Sequence, residues 1–164
     1  MNTLTPNELK LCQLQGKIFE SSIDHSLTSS PIFIRRFMFS NLAKTFDDFS
    51  FLNMSLGSIE SVGEVDDEYN SLSYGKTKYS KDEMYWIGYI YRVICIKYNL
   101  RSKTVFKYFS ARKMIEFYNV CHTFDVIYAA ERMLENINYD FSSIEEKAYK
   151  LMKRYVIFNN EKLE

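Results

Sequence analysis

The stretch Ser80 to Asn99, S-K-D-E-M-Y-W-I-G-Y-I-Y-R-V-I-C-I-K-Y-N, constrains the fold more than any other part of the chain. Ser80 and Glu83 have the spacing of a capping box, and Asp82 and Glu83 sit where the positive end of a helix dipole favours them. Beyond that start, apolar residues fall on more than one face. Trp86, Ile90 and Val93 form one stripe, and Ile87, Tyr91, Ile94 and Tyr98 another, leaving Arg92 and Lys97 for water. A helix apolar almost all round belongs in the centre of a fold. Gly88 costs about 1 kcal/mol against Ala inside a helix, so its position predicts a neighbouring backbone passing close by.

Around this element the chain reads as helices. Thr5-Pro6-Asn7-Glu8 is a helix start, and apolar residues at helical spacing carry the element from Pro6 to His25. Ser29-Ser30-Pro31 repeats the signal and predicts a second helix ending near Asp47. Residues 49–57 lack a clean period and fit an irregular packed segment or a short strand. Ser102 and Ser110 read as successive N-caps of two short helices, Lys103 to Phe109 and Ala111 to Tyr118. Thr123 is the expected cap of the next helix, and Ser142 or Ser143 that of the last, which should bury Ile144, Ala148, Leu151, Met152 and Tyr155 before a polar, fraying end. With only five Gly and two Pro in 164 residues, turn formers are too few for a β-sandwich. The expected fold is therefore all-α, a single compact multi-helix domain of six to eight helices spanning residues 1–164 around the aromatic helix. A chain of this length buries roughly 70% of its unfolded surface without metals or disulfides.

The sequence offers no chemistry. It contains no G-x-x-x-x-G-K-[ST], G-x-G-x-x-G or G-x-S-x-G. Neither His25 nor His122 has a second histidine one turn away, which argues against zinc. His122 follows Cys121 directly, and adjacent residues do not face each other as a nucleophile and base must. Cys12, Cys95 and Cys121 are odd in number and lack C-x-x-C spacing, as structural thiols of a reducing cytoplasm would. No run of about 20 apolar residues suggests a membrane span, and the N-terminus lacks the pattern of a signal peptide. The expectation is a cytoplasmic protein without catalytic residues, cofactor or metal.

Charge is balanced overall, with 21 basic and 21 acidic residues, yet unevenly placed. Between Ser58 and Gly75 stand Glu60, Glu64, Asp66, Asp67 and Glu68 with no Lys or Arg, a stretch that reads either as a mobile, solvated acidic loop with a short exposed helix or, more sharply, as a docking surface for a basic partner. Between Met84 and Ile115 the reverse holds: Arg92, Lys97, Arg101, Lys103, Lys107, Arg112 and Lys113 occur with no Asp or Glu. Two short helices with a basic flank suggest nucleic-acid contact through Arg101, Lys103, Lys107, Arg112 and Lys113, but Ala111, Arg112 and Lys113 only partly meet the needs of a base-reading helix, and an ordinary solvated basic face or a surface for an acidic partner is the favoured reading.

Three stretches, I-R-R-F-M-F-S-N-L-A-K-T-F-D at Ile34 to Asp47, Y-S-K-D-E-M-Y-W-I-G-Y-I-Y-R at Tyr79 to Arg92, and S-K-T-V-F-K-Y-F through F-Y-N-V-C-H-T-F-D to A-A-E-R-M-L-E, together resemble an uncharacterised antitoxin-like family of small proteins from low-GC bacteria, often encoded beside a toxin. The resemblance covers Ile34 to Glu135. It implies an antitoxin that neutralises a cognate toxin by covering it, and it transfers no catalytic residue. The rival expectations are a DNA-binding transcriptional regulator, which is compatible with an antitoxin role, and an enzyme of unrecognised type.

Overall fold

The computed structural model describes residues 3–142 and 144–161, all of whose regular elements are helical. In chain order these are α1 (Pro6–His25), α2 (Ser30–Phe39), α3 (Asn41–Asp47), a 3-10 turn (Ser50–Asn53), α4 (Ser58–Glu68), α5 (Lys81–Lys97), α6 (Ser102–Tyr108), α7 (Ala111–Cys121), α8 (Val126–Asn136) and α9 (Ile144–Glu161). The fold is all-α, as expected, with nine α-helices among the described residues where six to eight were predicted. Packing divides the chain into two compact units, Met1–Met133 and Leu134–Glu164.

In the first unit α5 is the buried centre. The capping box expected at Ser80 and Glu83 forms, and the helix start at Thr5 proves to be a second one: the Thr5 hydroxyl takes the Glu8 N–H while Glu8 takes that of Thr5. Helix α1 lies directly against α5, and two glycines set their separation. A Cβ on Gly88 would come within 2.7 Å of the Gln15 carbonyl oxygen and of the Phe19 ring; one on Gly16 would meet the Tyr85 ring at 2.9 Å. The backbone that Gly88 predicts is thus that of α1. Phe19 continues into an aromatic cluster, reaching Phe37 at 4.9 Å between ring centres, Phe37 to Phe46 at 5.8 Å, and Phe46 stacked on Phe51 at 4.1 Å. Such pairs contribute about 1 kcal/mol each beyond the area they bury.

Several local expectations change. The helix predicted to run on to Asp47 breaks at Ser40, whose backbone is extended. Its hydroxyl donates to the Phe37 carbonyl and accepts the Ala43 N–H, closing one helix and capping the next. Residues 50–53 form the 3-10 turn, with Phe51 buried. Ser102 is not a side-chain cap, because its hydroxyl is taken up by Asp47 and Arg92. Ser110 caps α7 as predicted. Asp125, not Thr123, opens α8 by accepting the Ile127 and Tyr128 N–H groups.

In the second unit Lys147 lies over the Tyr139 ring and Lys150 donates to the Ser142 hydroxyl. Ala148, Leu151 and Met152 on α9, expected inside, are exposed. Besides α9, this unit's described residues hold only the last turn of α8 and the connection after it, which offer little surface to cover a long helix. The expected cap at Ser143, the side chains of Ile144 and Tyr155, and the expected fraying after residue 161 lie outside the described residues.

Candidate partner-binding surfaces

The five acidic residues stand on α4, where a mobile loop with a short exposed helix was expected; the helix takes up the stretch from Ser58 to Glu68, and its inner face is buried. Ser61, Val62 and Val65 of α4 are buried toward α1, and the Ser58 hydroxyl bonds that of Ser21 at 2.9 Å. The chain beyond it is also held: Thr28 exchanges two hydrogen bonds with the Tyr74 backbone, and Ser30 bonds Thr77 and Tyr79. Lys78 donates to the carbonyl of Ser22 in the last turn of α1 and to that of Ser26 just beyond it, and burial there lowers its pKa.

Of the five acidic residues two serve the fold. Asp66 accepts the Ser26 hydroxyl at 3.1 Å and lies 4.0 Å from buried Arg36, whose guanidinium stacks over Tyr69 and Tyr74. Glu68 accepts the Asn41 N–H at 3.0 Å, placing a negative charge at the start of α3. The remaining three, Glu60, Glu64 and Asp67, are exposed, and among the described residues none of them is ion-paired. They recur three to four residues apart, so they share the outward stripe of α4. Grooves flank that stripe. One of about 410 Å³ is lined by Leu42, Thr45 and Met54 together with Glu64, Asp67 and Glu68. The other, of about 260 Å³, lies between α4 and the α1–α2 connection, over Gly63, Leu27 and Leu72.

The basic stretch divides. Arg101, Lys103, Lys107, Arg112 and Lys113 are exposed, whereas Lys97 lies 3.8 Å from Glu131 and Arg92 is fully buried. Lys103 and Lys107 share one face of α6. Lys103 sits 5.6 Å from the centre of the Phe39 ring, which Arg35 of α2 also approaches, at 5.9 Å. Arg112 is 3.6 Å from Glu116, and Lys113 donates to the Tyr108 carbonyl. The structure therefore adds Arg35 to the surface read from sequence and removes Arg92, which the sequence assigned to water.

Arg92 is the organising polar residue of the interior. It donates through Nε to Gln15 at 2.8 Å, through Nη1 to Asp47 at 2.8 Å and through Nη2 to Ser102 at 2.7 Å, with its guanidinium 5.3 Å from the centre of the Phe46 ring. A depression of about 330 Å³ lined by Asp47, Arg92, Cys95 and Phe49 opens beside it. There Asp47 and Arg92 are committed to each other and Glu8 to the Thr5 N–H, while Arg101 at the mouth is exposed; burial pushes the Cys95 thiol up to about 11, leaving it protonated at neutral pH. Cys12 is pushed up to about 12 by the same cause. His122 stacks on Tyr118 and bonds its carbonyl, one turn back along α7. Among the described residues no group of three or more His, Cys, Asp or Glu could hold a metal, and no helix is long and apolar enough to cross a membrane.

No protein-family model matches the sequence, and no curated protein or solved structure is significantly similar to it.

Proposed function

We propose that this chain is a non-enzymatic interaction protein, the antitoxin of a bacterial toxin–antitoxin pair, acting in the cytoplasm by covering a basic toxin with the outward stripe of α4. One observation carries the docking surface: Glu60, Glu64 and Asp67 stand exposed and, among the described residues, without ion pairs, on a helix anchored by its opposite face. A charged stripe on a rigid element steers a partner of opposite sign and fixes its register. The antitoxin class rests on the resemblance of Ile34 to Glu135.

The test is to co-express the chain with the product of its adjacent gene. The expected results are rescue of growth and a complex surviving purification; a harmless neighbour that does not co-purify overturns the antitoxin reading. Replacing Glu60, Glu64 and Asp67 by Ser should slow association, with the difference shrinking as salt rises. Asp66 is left intact because it holds Ser26 and faces Arg36.

A DNA-binding role for Arg101, Lys103, Lys107, Arg112 and Lys113 is the second reading, favoured by the convergence of Lys103 and Arg35 on one ring. Replacing Lys103, Lys107 and Arg112 should then weaken operator binding for every sequence and lower the salt slope by about one per lost phosphate contact.

A further inference from the structure

Three glycines lie inside helices, and two of them have a visible reason. Gly16 and Gly88 let α1 and α5 approach each other. Gly63 lies in the middle of α4, on its exposed side, and a Cβ built there meets nothing within 4 Å. Among the described residues nothing requires a glycine at that position, where Ala would favour the helix.

The surroundings of Gly63 are apolar in the middle and acidic at the edge. Leu27, 85% exposed, and Leu72, 52% exposed, stand with it around the 260 Å³ groove. Ile59, one turn before Gly63 on the same helix, is 52% exposed and lines an adjoining depression that shares His25. Leu27 and Leu72 around one groove, with Ile59 in the depression beside it, make an exposed apolar patch of the kind that marks an interaction site. On the α4 side the edge of the strip is Glu60, Glu64 and Asp67, with no Lys or Arg anywhere on α4, while Lys17 and Lys81, which line the depression around Ile59, are held in ion pairs with Glu20 and Asp24. A helix crossing a glycine comes closer than one crossing any other residue, which is how α1 meets α5 in this same molecule.

We infer that the groove over Gly63 receives an amphipathic helix of a partner protein, with an aliphatic stripe seated between Leu27, Ile59 and Leu72 and with Lys or Arg along the edge that meets Glu60, Glu64 and Asp67. This rests on the proposed docking role of α4 and adds the form and chemistry of what docks. Acidic rim charges select the basic edge, and Gly63 sets the distance of closest approach.

The probe is a labelled, amidated amphipathic peptide of Leu and Lys, with its Leu and Glu counterpart as control, titrated against the full chain. Wild type is expected to bind the Lys peptide and not the Glu peptide. Gly63→Ala keeps every charge and places its methyl in open space, so it should raise Tm by about 2 °C while weakening Lys-peptide binding roughly tenfold. Leu27→Ser with Leu72→Ser should weaken binding without lowering Tm. If Gly63→Ala raises Tm and leaves affinity unchanged, no helix passes over Gly63 and the inference falls. In that event, loss of binding in the Glu60, Glu64 and Asp67 triple variant still supports docking on α4. Equal binding of both peptides overturns the charge assignment. Self-association of wild type that Gly63→Ala abolishes assigns the groove to a second copy of this chain and overturns the basic partner.

Discussion

The Asp47 carboxylate accepts the backbone N–H of Ser102 with both oxygens, at 3.1 Å each, across 55 residues of sequence. The last residue of α3 thereby satisfies the first turn of α6, and the same carboxylate neutralises Arg92. Removing it leaves a cation that is 1% exposed without its partner, which costs about 3–5 kcal/mol. Asp47→Ala is therefore expected to lower the urea midpoint severely. Asp47→Leu combined with Arg92→Met should lose less than Asp47→Ala alone, because no uncompensated charge remains.

Gly88→Ala is expected to destabilise despite the better helix propensity of Ala. The new methyl would meet the Gln15 carbonyl and Phe19 at 2.7 Å, and overpacking of this kind costs about 1–3 kcal/mol. Ile90→Ala and Ile94→Ala, at fully buried positions of α5, should each lose about 2–5 kcal/mol through the cavity left behind. Denaturant titration of the three variants measures both effects; a stabilised Gly88→Ala protein would mean α1 and α5 do not cross where the glycine stands.

Burial raises the folded-state pKa of Cys12 to about 12 and of Cys95 to about 11, from an ordinary value of 9.0. Between those values the unfolded chain has released a proton that the folded chain retains, so stability falls as pH rises. The stabilisation is fully present below about pH 9 and is lost as the pH climbs through 11, with buried Tyr91 adding to the loss at the alkaline end. Urea midpoints are expected to be level from pH 7 to 8.5 and to decline above pH 9, less steeply in Cys95→Ala. At pH 7.5 a thiol-specific reagent should label Cys12 and Cys95 only after denaturant is added.

Leu151→Ser with Met152→Ser is expected to change stability by less than about 0.5 kcal/mol, since both side chains on α9 are largely in water. A loss of several kcal/mol in thermal unfolding would show that these side chains are covered in solution.

Sequence alone determined what depends on neighbours a few residues away. The starts of α1, α5 and α7 were legible because Thr5 with Glu8, Ser80 with Glu83, and Ser110 bond donors within their own first turns. The burial of Ile90 and Ile94 followed from a helix with no polar face, and the close crossing at Gly88 from the one residue there without a side chain. Only the tertiary structure decided what depends on distant partners. Arg92 looked like the solvent-facing side of α5, and it is buried because Gln15, Asp47 and Ser102, 77, 45 and 10 residues away, converge on its three nitrogens. Asp66 and Glu68 were indistinguishable from Glu60, Glu64 and Asp67 until Ser26 and Asn41 claimed them. Periodicity marked an apolar face on α9 as readily as on α1, yet it could not say which face finds a surface to pack against. A local hydrogen bond is specified by spacing along the chain, whereas desolvating a charge or an apolar stripe is settled by whatever the rest of the fold brings to it.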